Sequence, residues 1–147
     1  MHSAIGYNAE NVSYTLRDKR IVSAWIQKII RLEGFLPGNI SFIFCDDKYL
    51  IELNKKYLKH KTLTDIITFN YCEEKFISGD IFISIERVKD NAKSLKTKYI
   101  NELHRVMCHG ILHLIGYNDK KNSESLDMRA KEDKCLLLIS KIKKRST

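Results

Sequence analysis

His109 and His113 lie four residues apart in the stretch HGILHLIGYND, residues 109–119. If that stretch is helical, the two side chains leave one face a single turn apart and can reach one ion. Gly116 lets the chain leave the helix sharply. Asp119, six residues past His113, can then fold back and offer an oxygen. Two imidazoles and one carboxylate make three ligands, and the open fourth position would take a water, as in catalytic zinc sites. The ion there acidifies the water and polarises a bound oxygen. The blander readings are two satisfied histidines on an apolar helix, and an Asn118–Asp119 pair that only makes a turn. Taken together, the pair, the glycine and the spaced carboxylate favour one divalent ion per chain on His109, His113 and Asp119. Zinc is the first expectation, with another divalent metal as the alternative.

The spacing H-x-x-x-H-x-x-G-x-x-D is shared with zinc peptidases of the H-E-x-x-H type. Those enzymes place a glutamate base directly after the first histidine. Here that position is Gly110, so the peptidase chemistry loses its base.

The elements that must position these residues show in the apolar periodicity. Residues 3–16 suggest a first edge strand. Ile21, Val22, Trp25, Ile26, Ile29, Ile30 and Leu32 recur at helical spacing, and Gly34 follows. Pro37-Gly38-Asn39 reads as a turn before a buried strand over 40–45. Asp46 or Asp47 caps a helix running to about residue 57. Residues 65–71 and 79–85 read as adjacent strands joined by a loop. Ser84 opens a short helix, a long helix spans about 98–115, and a last one about 123–140. A solvated, frayed basic tail over 141–147 is expected. The result is an α+β fold, an α/β sandwich with a small mixed sheet and about five helices. The metal site falls on the penultimate long helix and the loop after it.

With 147 residues and 44% apolar content, one domain over 1–147 is expected. Lys and Arg number 26 against 18 Asp and Glu, a net charge of +8 that suits an anionic partner, nucleic acid above all. Cys45, Cys72, Cys108 and Cys135 form no Cys-x-x-Cys pair, so a zinc ribbon or redox motif is excluded. No signal-peptide layout and no run of about 18 apolar residues occurs, which points to a cytoplasmic protein without a membrane partner.

The stretch HGILHLIGYND closely resembles the H-G-x-L-H-L-x-G-Y-D-H signature of the YbeY family of metallo-endoribonucleases. Three further blocks agree in order. Leu53-Asn54 with Tyr57 resembles the family's L-N-x-x-Y, residues 64–69 (TDIITF) its T-D-V-L-S-F, and Gly79-Asp80-Ile81 its G-D-I strand. The likeness runs over about residues 38–139. It implies a zinc-dependent, single-strand-specific endoribonuclease acting in maturation of the 3′ end of 16S ribosomal RNA and in late quality control of the 70S ribosome. Its expected partners are single-stranded RNA and the ribosome or its small subunit.

Two departures stand out. Asp119 occupies the place of the family's third histidine ligand. This keeps the ligand count, adds a negative charge, weakens the ion as a Lewis acid, and matches a two-His-one-carboxylate set familiar for iron(II). Leu58 stands where the family has an arginine near the metal. Lys59, His60 and Lys61 follow at once and are candidates for phosphate contact, with His60 also able to move a proton; an ordinary basic loop is the plainer reading. Glu102, seven residues before His109, is a candidate base or supporting residue on the same helical face. Arg105 is a candidate for holding the RNA backbone. Tyr71, Phe69 and Tyr117 are candidates for base stacking, although strand aromatics more often pack in cores. His104 falls off the ligand face. The rival readings are a ribosome-assembly factor with a structural metal, a zinc hydrolase of another substrate class, and an iron oxygenase.

Overall fold

The computed structural model describes residues 4–58 and 63–146. The element order is β1 (Ala4–Ala9), α1 (Lys19–Leu32), β2 (Leu36–Cys45), α2 (Asp47–Leu53), a π-helical turn (Asn54–Leu58), β3 (Ile66–Asn70), β4 (Phe76–Ser84), α3 (Ile85–Ser94), α4 (Tyr99–Ile115) and α5 (Asn122–Ser146). The α+β expectation holds: one four-stranded sheet in the order β1-β2-β4-β3 packs with five helices. β1, β2 and β4 run parallel, and β3 closes the edge antiparallel to β4.

Local chemistry sets the boundaries. Asp46 caps α2 by accepting a hydrogen bond from the Tyr49 N–H at 2.8 Å, and Ser84 caps α3 by accepting from the Arg87 N–H at 3.2 Å. Gly116 ends α4 at φ 125°, a left-handed-region value that disfavours side chains. Two expectations are corrected. Pro37-Gly38-Asn39 is no turn but part of β2. Between the pairs Pro37↔Ile77 and Ile40↔Gly79, β2 advances three residues while β4 advances two, so the trio is absorbed as a β-bulge. Asn39 keeps its N–H satisfied by donating to Ser78 Oγ at 3.0 Å. The expected frayed tail is also helical. α5 runs to Ser146, and Ile142 packs on the core, which rewards the extra turns. Among the described residues, no helix is long and apolar enough to cross a membrane.

The main core joins α1, α4 and α5 to one side of the sheet. Trp25, Ile26 and Ile30 meet Phe42, Phe44, Ile81 and Ile83, with Leu103, Met107 and Ile111 from α4 and Met128, Cys135 and Ile139 from α5. A smaller cluster of Cys45, Leu50 and Ile67, with Tyr49, Leu53, Phe69 and Phe82, docks α2. α4 is buried around most of its circumference, as its apolar content demands. At Gly110 it lies flush on the sheet. An added Cβ there would stand 2.9 Å from both Ile66 Cδ1 and Ile81 Cγ2.

His104 belongs to this packing. It is 3% exposed and its ring lies 5.4 Å from that of Trp25. Burial, helped by the charge of Lys143, pushes its pKa down to about 4.

Two outcomes follow from this packing. Gly110→Val should destabilise the fold by about 2 kcal/mol or more through overpacking, and Gly110→Ala should destabilise it less, because its Cβ still presses on Ile66 and Ile81 while helix propensity offsets part of the cost. Urea unfolding of both variants checks this pair. For His104, the folded pKa lies below the unfolded value. Its contribution is therefore present above about pH 6.5 and is lost as pH falls toward about 4, by up to about 3 kcal/mol. Stability measured across that window should fall in the native chain and fall less in His104→Phe.

Candidate metal centre

α4 carries both histidines on the strip that its packing leaves uncovered. The turn after Gly116 then brings Asp119 back over them. Nε2 of His109 and Nε2 of His113 stand 3.0 Å apart, with the rings edge-on. Asp119 Oδ2 lies 3.3 Å from the first and 3.5 Å from the second. These three residues form a group that can hold a metal ion. The donor set fits: a tetrahedral ion with Zn–N bonds of about 2.0–2.1 Å spaces its ligand atoms about 3.3 Å apart.

Sequence reasoning missed the residue that fixes His109. Glu132 of α5, 5% exposed, places Oε2 2.6 Å from His109 Nδ1. A carboxylate can only accept there, so Nδ1 carries the proton and Nε2 turns its lone pair toward His113 and Asp119. Glu132 is anchored in turn, since Arg105 Nη1 donates to its Oε1 at 2.8 Å and Arg105 Nη2 to Asp133 Oδ1 at 2.6 Å. Burial raises the Glu132 pKa, but the hydrogen bonds from His109 and Arg105 outweigh it and hold the carboxyl below its usual range. Burial pulls the His109 pKa down, but Glu132, Asp119 and Asp65 together raise it above its usual value. His113 is lowered by burial and by its neighbour His109. A signal for Glu132 was present: it interrupts the apolar stripe Met128, Cys135, Ile139 at helical spacing, where a carboxylate needs a partner.

A cavity of about 310 Å³ opens beside the histidines, lined among others by Asp65, Glu102, Arg105, His109, Asp119 and Arg129. Glu102 is therefore next to the site, as its seven-residue spacing suggested. It is 7% exposed and has no hydrogen bond or ion pair among the described residues. Its pKa is raised by burial and then by Asp65, whose own carboxyl is raised by burial.

Other candidates are placed differently. Arg105 reaches the cavity but is tied to Glu132 and Asp133, so it braces the site and is not a free phosphate grip. Tyr117 donates its hydroxyl hydrogen bond to Glu33, and Lys131 lies over its ring, which makes it a strut to α1 and α5. Phe69 is wedged between Tyr57 and Phe82 in the smaller core. Tyr71 is exposed. Leu58, at the end of the π-helical turn, is exposed too. Lys59, His60 and Lys61 lie outside the described residues.

The geometry can be compared with known proteins. A protein of Thermotoga maritima solved in solution matches with a TM-score of 0.65 at 24% identity, covering 92% of this chain and 89% of that one, which shows a shared fold. The endoribonuclease YbeY of Flavobacterium psychrophilum is 46% identical over 135 residues, 92% of this chain and 96% of that protein. Its counterpart in Porphyromonas gingivalis is 44% identical over 92% of this chain and 89% of its own length. That of Amoebophilus asiaticus is 47% identical, with 87% and 88% covered. The family model described as endoribonuclease YbeY matches residues 6–140, strand β1 through most of α5, and the chain therefore belongs to the YbeY family of endoribonucleases.

Proposed function

We propose that residues 1–147 act as one cytoplasmic metallo-endoribonuclease domain that hydrolyses single-stranded RNA. Its biological substrate is the 3′ end of 16S ribosomal RNA, with a role in late 70S ribosome quality control and the small ribosomal subunit as partner. The observation that carries this reading is the convergence of His109, His113 and Asp119 within 3.0–3.5 Å of one another, in a chain of this family. These three residues would hold one zinc ion. When bound, that ion supplies Lewis-acid chemistry at a phosphoryl oxygen and makes a nucleophile available at neutral pH.

The chain's own residues divide the remaining work. Glu132, braced by Arg105, fixes the tautomer and tilt of His109, as hydrogen-bond partners of metal-ligating histidines commonly do. Glu102 presents a buried carboxyl to the cavity with no competing partner, and its raised pKa suits it to accept and return a proton at a carboxylate oxygen. Lys59 and His60, just after the π-helical turn, supply phosphate contact and a second proton carrier. Gly110 keeps peptidase chemistry out for a reason beyond its missing side chain: the position points into Ile66 and Ile81, so a glutamate there would be driven into the sheet.

His109→Ala and His113→Ala should each lose both bound metal, read by elemental analysis, and RNA cleavage. A variant without metal that still cuts RNA at the native rate would overturn the mechanism. Asp119→His should retain the metal. Glu132→Gln should weaken metal affinity about 10- to 100-fold in a chelator competition while leaving the fold intact. A native-like affinity in that variant would remove Glu132 from its positioning role.

A further inference from the structure

The site cavity does not end at the histidines. A second, larger hollow of about 750 Å³ runs on from it between α4 and α5, and the two share Glu102, Arg105 and Arg129 in their walls. The α5 wall is regular. Arg129, Leu136 and Lys143 recur every seven residues, so they fall on one face of the helix, and all three line the hollow. From Arg129 to Lys143 the helix rises about 21 Å, the length of several nucleotides of extended chain. Asn101 and Thr97 offer hydrogen-bonding groups along the trough, and Leu95 adds an apolar surface that is 55% exposed.

The cations in these walls are not equivalent. Arg105 is bound on both sides by Glu132 and Asp133. Among the described residues, Arg129 and Lys143 make no hydrogen bond or ion pair. The nearer hollow is otherwise rich in carboxylates, with Asp65, Glu102, Asp119 and Glu132 in its lining. An anionic chain entering it needs positive charge that is not locked in an ion pair, and Arg129, whose charge acts on Glu102 without pairing to it, stands at the junction of the two hollows. Beyond Lys143, Arg145 in the last turn of α5 extends the positive field past the trough.

We infer that the α4–α5 trough is a binding track for single-stranded RNA on one side of the scissile bond, with Arg129 and Lys143 holding its phosphates. The inference rests on the RNA-cleaving function proposed above and adds to it the path of the substrate. No Phe, Tyr or Trp lines the trough among the described residues, and the His104 ring there is buried against Trp25, so the grip falls on the backbone and tolerates sequence.

The test uses the full chain and a fluorescently labelled single-stranded RNA, with anisotropy read across a salt series. Arg129→Ala and Lys143→Ala should each weaken binding about three- to ten-fold at moderate salt and flatten the dependence of log affinity on log salt by about 0.7. Arg129→Glu should weaken it further. Lys28→Ala, which removes one charge from the exposed face of α1, should bind as the native chain does. If the two trough variants bind no more weakly than Lys28→Ala while the native protein cleaves RNA, the track is wrong and the function stands. If the native protein neither binds nor cleaves RNA, the functional reading fails and the track falls with it.

Discussion

The burial of α4 governs this molecule. The helix is apolar around most of its surface and touches the sheet, α1, α3 and α5, so only a narrow strip is left for polar groups. Its rotation is set where Gly110 lies against Ile66 and Ile81. A rigid helix pinned at that point has no freedom in where His109 and His113 emerge. The same contact explains why a metal-site spacing shared with peptidases does not bring their base: the position after the first histidine is used for packing. Site and core are thus two consequences of one seating.

The electrostatics around the histidines follow from a second constraint. Asp65, Glu102, Asp119 and Glu132 crowd one small hollow, which is costly unless cations are shared among them. Arg105 relieves Glu132 and Asp133, and His109 relieves Glu132 again. Glu102 and Asp65 are left with raised pKa values. Asp119 adds to the same negative balance. A divalent ion would offset part of that charge, which agrees with the donor geometry.

Much of this was legible before any fold was seen. The i,i+4 histidines, the glycine stop and the returning carboxylate are local features, and local spacing predicts local geometry well. The alternating and helical apolar patterns located the strands and helices for the same reason. The misreadings were of another kind. Pro37-Gly38-Asn39 carries strong turn chemistry, but pairing with β4 absorbed it as a bulge, and that partner lies some forty residues away. Glu132 was passed over because its role needs the crossing of α5 over α4, which no single-helix pattern reports. Arg105 and Tyr117 were assigned outward-looking tasks, and tertiary partners on α5 and α1 claimed them instead. Tail residues such as Ile142 kept their helix because a core awaited them.

The bond between His109 and Glu132 spans 23 residues, whereas the first sheet pairing joins Ala4 to Asn39. Among the described residues, the groups that assemble the candidate centre, from Glu102 to Asp133, come from one helical hairpin, and Asp65 joins them from outside it. Closing such a hairpin costs little chain entropy and involves low contact order, so its formation is fast compared with sheet assembly. The hairpin cannot bury its apolar faces alone, because α4 needs the sheet beneath Gly110. The chemistry-bearing unit is thus kinetically local but thermodynamically dependent. Ordering of the ligands therefore reports that β3 and β4, the strands beneath Gly110, have already paired.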